Sequence, residues 1–130
     1  MDEFVILCKD NNLEQIKRLL NDNTFDPTIQ NNDGDTPFHL ACEYINNLDV
    51  IKLLLENSRI DPTIQNKNGY TPFHIACKYN NLDIIKLLLE DSRIDPTIQN
   101  NNNQSCIDII KESKDKQIIK YFNENHYFIM

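Results

Sequence analysis

Thr71-Pro72-Phe73-His74-Ile75-Ala76-Cys77 decides the architecture, because the chain has already written it once as Thr36-Pro37-Phe38-His39-Leu40-Ala41-Cys42. Both copies continue into Asn-Asn-Leu-Asp, at Asn46 to Asp49 and Asn80 to Asp83, and then into Lys-Leu-Leu-Leu-Glu, at Lys52 to Glu56 and Lys86 to Glu90. Outward from there a second motif, Asp26-Pro27-Thr28-Ile29-Gln30-Asn31, returns in phase as Asp61-Pro62-Thr63-Ile64-Gln65-Asn66 and Asp95-Pro96-Thr97-Ile98-Gln99-Asn100. The intervals of 35 and then 34 residues are those of a helix-pair unit that buries its apolar face by stacking on a neighbour.

Thr36 and Thr71 are good N-caps, and Pro37 and Pro72 suit the first helical position, so each motif starts a helix. Phe73, Ala76 and Cys77 then share one face, with Ala76 small enough for a neighbouring helix to approach closely, and a second helix follows from Leu82 to Glu90. A period in the mid-thirties suits two families, the tetratricopeptide and ankyrin repeats. The first wants Trp, Gly and Tyr early in its first helix. Thr-Pro-Phe-His-x-Ala instead resembles the ankyrin Thr-Pro-Leu-His-x-Ala, with Phe in the Leu place, and the resemblance covers residues 1 to about 122. It implies an all-α fold, an ankyrin-repeat solenoid of about four stacked helix-turn-helix repeats with β-hairpin-like loops. The expected repeats are about 1–33, 34–68, 69–102 and 103–122, making one domain over 1–122 with an apolar tail at 123–130.

The departures from the family pattern have local readings. Asn11, Asn46 and Asn80 stand where the family places a left-handed Gly between its two helices, a conformation Asn tolerates best after Gly. Ser58-Arg59-Ile60-Asp61 and Ser92-Arg93-Ile94-Asp95 replace Gly-Ala-Asp after the second helix and lengthen the period by one, and Ile45 adds a residue to repeat two alone. In repeat one Phe4, Leu7 and Cys8 match Phe73, Ala76 and Cys77. In repeat four Ser105-Cys106-Ile107-Asp108 stands for Thr-Pro-Phe-His, and Lys116 for Leu82, as suits a stack end with no neighbour to cover it. His126-Tyr127-Phe128-Ile129-Met130 is too apolar for a solvated tail and is expected to cover core. The alternative is a homo-oligomer formed through Tyr127, Phe128, Ile129 and Met130.

Twenty acidic against 13 basic side chains give a formal charge of -7, and no Lys/Arg run concentrates positive charge, so neither nucleic acid nor an anionic membrane is an expected partner. No stretch approaches the roughly 18 apolar residues of a bilayer span, and Asp2 and Glu3 stand where a secretory leader would be basic, so a soluble, cytoplasmic protein is expected. Asn clusters such as Asn100 to Asn103 fall at fixed repeat positions and read as turn residues.

Four cysteines would permit two disulfides or one zinc site. Cys8, Cys42 and Cys77, however, hold one position in successive repeats, roughly 10 Å apart against a limit of ~7 Å for bridged α-carbons, and read as small core residues. His39 and His74 recur without an accompanying nucleophile or carboxylate, and the resemblance implies that they tie neighbouring loops together. Gly34 and Gly69 suit hairpin tips that need positive φ, not a phosphate-cradling loop, and the carboxylates fall at turns and helix ends. No enzyme, metal or cofactor is expected.

The resemblance implies protein binding in a concave groove lined by hairpin tips and the outward side of each first helix. Carried over by position, repeat two presents Asp33, Asp35, Glu43 and Tyr44, with Gln30 and Asn32 beside them. Repeat three presents Lys67, Asn68, Tyr70, Lys78 and Tyr79, with Gln65. Repeat four presents Asn101, Asn102 and Gln104, then Gln99, Glu112 and Ser113, while repeat one offers Lys9 and Asp10. The three tyrosines read either as contact residues or as side chains packed on adjoining repeats. Repeat two is acidic and repeat three basic, so the expected partner carries both charges and acts through masking, competition or assembly. Self-association through the tail or repeat ends is the competing reading.

Overall fold

The computed structural model describes residues 2–79, 81–125 and 127, which form eight helices and, among those residues, no strand. In chain order they are α1 (Asp2–Lys9), α2 (Leu13–Leu20), α3 (Pro37–Tyr44), α4 (Leu48–Glu56), α5 (Pro72–Lys78), α6 (Leu82–Leu89), α7 (Cys106–Glu112) and α8 (Lys116–Glu124). The odd-numbered helices pack side by side as one layer, α1 on α3, α3 on α5 and α5 on α7, while α2, α4 and α6 form the second. Among the described residues no helix is long and apolar enough to cross a membrane.

The motif residues do the work expected of them and more. Thr36 and Thr71 accept from the backbone N–H of His39 and His74 at 3.3 Å, and each His Nδ1 accepts in return from the Thr N–H, at 3.1 and 3.0 Å. This is a capping box with imidazole in the usual Glu or Gln place. With Nδ1 accepting, Nε2 carries the proton and donates into the next loop, to Tyr70 O at 2.7 Å from His39 and Gln104 O at 3.3 Å from His74. In repeat four Asp108 closes the same box, Ser105 N–H to Oδ2 at 3.0 Å. A carboxylate serves the cap as well as His does. It lacks the N–H donor with which His reaches the next loop.

Between the layers lies one core. Phe4, Phe38 and Phe73 occupy the same position in successive repeats, each 1 % exposed, and Ile107 takes that place in the fourth. Ala41 and Ala76, buried where helices of the first layer touch, give way to the larger Ile110 in the last repeat. Phe122 seals the far end, its ring 5.1 Å from that of Tyr127, and Lys86 lies 4.9 Å over Tyr121, holding α8 to α6. Tyr127 packs against the core, while His126, Phe128, Ile129 and Met130, on which the rest of that expectation falls, lie outside the described residues.

Asp-Pro-Thr, which the sequence offered as a bare repeat, is a turn held by its own side chains. The Asp carboxylate accepts the Thr N–H at 2.9 Å in all three copies, at Asp26–Thr28, Asp61–Thr63 and Asp95–Thr97. The Thr hydroxyl bonds to the same oxygen, and this bonding holds each carboxyl below the usual range. The inserted Arg residues clamp successive repeats together. Arg59 donates to the carbonyls of Leu20 at 2.6 Å, of Asp22 at 3.1 Å and of Phe25. Arg93 donates to Ile60 O at 2.8 Å and Leu55 O at 2.9 Å. Both cap the carboxyl end of the preceding second-layer helix, where unpaired carbonyls and the dipole favour a cation.

One expectation needs correcting. Among the described non-glycine residues, positive φ occurs at Asn11 (54°), as expected, and at Asn103 (60°), but not at Asn46; Asn80 is outside the described residues. The extra Ile45 explains the difference. It leaves α3 in an extended conformation, φ -104° and ψ 115°, with its side chain buried, so no left-handed residue is needed to turn the chain. Asn103 stands at the fingertip where Gly34 and Gly69 stand in earlier repeats, with φ of 79° and 80°. A Cβ on Gly34 would come within 2.7 Å of Lys67 N, and one on Gly69 within 2.7 Å of Asn101 N. Asn103 is exposed, so the left-handed residue there can carry a side chain.

Candidate protein-binding groove

Fingertip loops set the rim of the groove, and their spacing is fixed by bonds running from repeat to repeat. Lys67 N–H donates to Asp33 O at 3.1 Å and Asn101 N–H to Asn68 O at 3.0 Å. Side chains reinforce the ladder: Asn66 Nδ2 reaches Asp35 Oδ1 at 2.9 Å, and Asn101 Nδ2 reaches Lys67 O at 2.8 Å. Gln30 bridges Gly34 O and Gln65 O, at 2.8 and 3.2 Å, and Gln65 bridges Gly69 O and Gln99 O, at 2.9 and 3.0 Å. These two glutamines were expected to face a partner; their amides instead hold adjacent loops in register.

Between the fingertips and the ends of α3 and α5 lies an open cavity of about 590 Å³. It brings together Asp33, Asp35 and Glu43 from repeat two, Lys67, Asn68, Tyr70, Lys78 and Tyr79 from repeat three, and Asn101 and Asn102 from repeat four. Tyr44 and Gln104 lie outside its lining. Asn66 and Ile75 are lining residues that position-by-position reading missed. Ile75 is 7 % exposed, an apolar side chain at the floor, and its place in the Leu40 position of the repeat could have suggested it. Gln104 donates Nε2 to Glu112 at 3.0 Å.

The tyrosines divide between the two readings offered for them. Tyr70 is half-buried and stacks on His74, ring centroids 5.6 Å apart. Tyr44 and Tyr79 are 55 % and 50 % exposed, among the most exposed large apolar groups of the molecule. Tyr79 hydroxyl donates to Glu43 Oε1 at 2.9 Å, and that bond raises its pKa; the charge of Glu43 does the same to Tyr44. Lys78 Nζ lies 5.5 Å over the Tyr70 ring and 6.0 Å over Tyr79, and Lys9 lies 5.2 Å over Tyr44.

His39 and His74 are buried, both in contact with Tyr70 of the groove lining. All four cysteines are free and buried. Burial pushes the Cys8 thiol up to about 12, and those of Cys42 and Cys77 upward as well. Cys106 occupies the helix-start position that Pro37 and Pro72 hold elsewhere. Burial pushes its thiol up, but hydrogen bonds with Cys77 and His74 outweigh that and bring it down to about 7. Burial lowers His39; at His74 the same penalty is outweighed by Cys106, leaving it raised. Among the described residues no group of three or more His, Cys, Asp or Glu side chains is arranged to hold a metal ion.

A family model described as ankyrin repeats, three copies, matches residues 4–100. Compared with curated proteins, the chain matches none. The match ends at Asn100, just before the Ser105 to Asp108 segment in which Thr, Pro, Phe and His are all replaced. The recurring Thr-Pro-Phe-His start, the paired helices in two layers, the His-bridged loops and this match together establish that the chain belongs to the ankyrin repeat family.

Proposed function

We propose that the chain binds a partner protein in the groove between the fingertips and the first-layer helices. Ankyrin repeats are protein–protein interaction modules, and the coarse reading rests on membership in that family. The observation that carries the finer reading is the pair of exposed rings, Tyr79 in the lining of a mostly polar and charged cavity and Tyr44 outside that lining. Tyr offers a large contact area with few rotatable bonds, and its neighbours here already fix its orientation, so little entropy is lost on contact. Exposed aromatic area of this kind contributes little to the fold and much to an interface.

The test is quantitative capture from the native cell with wild-type bait and with the Tyr44→Ala/Tyr79→Ala double variant. Loss of a specific partner from the variant, with an unchanged thermal melt, supports the groove. Equal capture by both baits rejects it and moves the contact to the second helical layer or to the chain end.

A further inference from the structure

Each fingertip turns through one left-handed residue, and the three repeats fill that slot and the one before it differently: Asp33-Gly34, Asn68-Gly69 and Asn102-Asn103. The chain has two glycines, so Asn68-Gly69 is its one Asn-Gly pair. The last two fingertips share a backbone arrangement. Gly69 N–H donates to Asn66 O at 2.9 Å and Asn103 N–H to Asn100 O at 3.0 Å. Asn68 N–H and Asn102 N–H donate to the side chains of those same two residues, at 3.0 and 2.9 Å. Asn66, Asn100 and Asn101 have their side chains tied into the loops, whereas those of Asn68 and Asn102 are exposed and make no hydrogen bond to a described residue.

We infer that Asn68 is a modification site, where the protein's own backbone and water convert the neutral amide to a carboxylate without an enzyme. Asn is a thermolabile side chain, and bulk on the following residue is what keeps the next backbone nitrogen away from its amide carbon. Here the fold forbids that bulk: Gly69 has φ 80°, and a Cβ on it would lie 2.7 Å from Asn101 N. In the reaction Gly69 N, having given its proton to hydroxide, bonds to Asn68 Cγ; the Cγ–Nδ2 bond breaks, and Nδ2 leaves as ammonia after taking a proton from water. Water then opens the cyclic imide at one of its two carbonyls, returning a proton to the Gly69 nitrogen, and leaves aspartate by one route and isoaspartate by the other. Asp33 in the matched slot shows that a fingertip holds a carboxylate there, and the new one joins Asp33, Asp35 and Glu43 against Lys67 and Lys78 in the groove. Two bonds act as a brake. Gly69 N–H must leave Asn66 O before the nitrogen can attack, and Asn68 O is held by Asn101 N–H at 3.0 Å, whereas no described residue donates to the carbonyl of Asn102 in the last repeat. The site exists whether or not a partner occupies the groove.

The test keeps the full chain warm in mildly alkaline buffer, with and without guanidinium chloride, and reads conversion of amide to acid at each Asn by mass spectrometry of proteolytic fragments. Acid is expected at residue 68 well ahead of residue 102. The folded chain is expected to react roughly three- to tenfold more slowly than the unfolded one, the equilibrium cost of releasing one backbone hydrogen bond. Asn103→Gly gives Asn102 the same unhindered neighbour without a following fingertip to hold it, so a second site is expected at residue 102, faster than the first. Asn68→Asp, which fixes the aspartate product, is expected to melt as the wild type does, since repeat two already carries Asp33 in that slot. No acid at residue 68 of the folded chain once the unfolded chain is fully converted, no conversion in either state, equal rates at residues 68 and 102 of the wild type, or no second site in Asn103→Gly overturns the inference.

Discussion

Replacing Arg93 with methionine removes a guanidinium that donates to Ile60 O and Leu55 O, at 2.8 and 2.9 Å, while keeping most of the apolar stem. Leu55 lies in the last turn of α4, so its carbonyl is one that the helix cannot pair itself. Two bonds worth about 1 kcal/mol each predict a loss of roughly 2 kcal/mol. The ion pair to Asp91, at 2.8 Å with the Arg side chain 35 % exposed, adds little, because exposed pairs contribute about 1 kcal/mol or less. For a chain of this size a loss of 2 kcal/mol lowers the melting temperature by about 8 °C. Urea unfolding followed by circular dichroism measures it, with Asp91→Asn as the background that isolates the clamp. If the clamp is what matters, Arg93→Met costs nearly as much in Asp91→Asn as in the wild type. A cost below about 0.5 kcal/mol, or one that vanishes in the Asp91→Asn background, refutes the reasoning and leaves the pair as the whole effect.

Gly69→Ala should cost about 2–3 kcal/mol, from left-handed strain and the 2.7 Å approach to Asn101 N, whereas Asn103→Gly should stay within about 0.5 kcal/mol of wild type; similar costs at both would contradict the loop packing. The two histidines should respond to pH in opposite senses. The folded pKa of His39 lies below its unfolded value, so its contribution is present at pH 7.5 and is lost as pH falls through about 6.5, where the unfolded chain takes up the proton first. The folded pKa of His74 is raised, so its contribution is present below about 6.5 and is lost as pH rises. The melting-temperature deficit of His39→Gln should therefore shrink between pH 7.5 and 5.5 while that of His74→Gln grows, and parallel trends would refute the assignment. All four thiols should react with an aromatic disulfide reagent at rates that follow unfolding, Cys106 included despite its low pKa, because it is 0 % exposed; a fast single-thiol phase would show that its surroundings open locally.

Repetition made the fold legible. Thr-Pro-Phe-His declares a cap, a first turn, a core position and a bridge in four residues, and two in-phase copies fix which residues are equivalent throughout the chain. Roles that need a neighbour in space were hidden. Gln30 and Gln65 looked like surface residues because nothing local to them says that their amides reach the following loop. Arg59 and Arg93 looked like spacers because their acceptors lie 33 to 39 residues back along the chain. Asn46 misled for a local reason: one inserted residue let Ile45 make the turn in an extended conformation.

Site residues were legible to the extent that position in a repeat dictates direction in space. Asp33, Lys67, Lys78 and Tyr79 converge because each occupies a position whose side chain must leave the core, and stacking then adds one copy per repeat to the same surface. What position cannot give is how much of each side chain the neighbours consume. Tyr70 and Tyr79, in adjoining slots of one repeat, part company there: Tyr70 is committed to His74, while Tyr79 spends only its hydroxyl, on Glu43. The same consideration separates the charged residues. Arg93 is consumed by carbonyls and Asp91, whereas Lys9, Glu43, Lys78 and Glu112 are steadied by neutral groups that leave their charge in place.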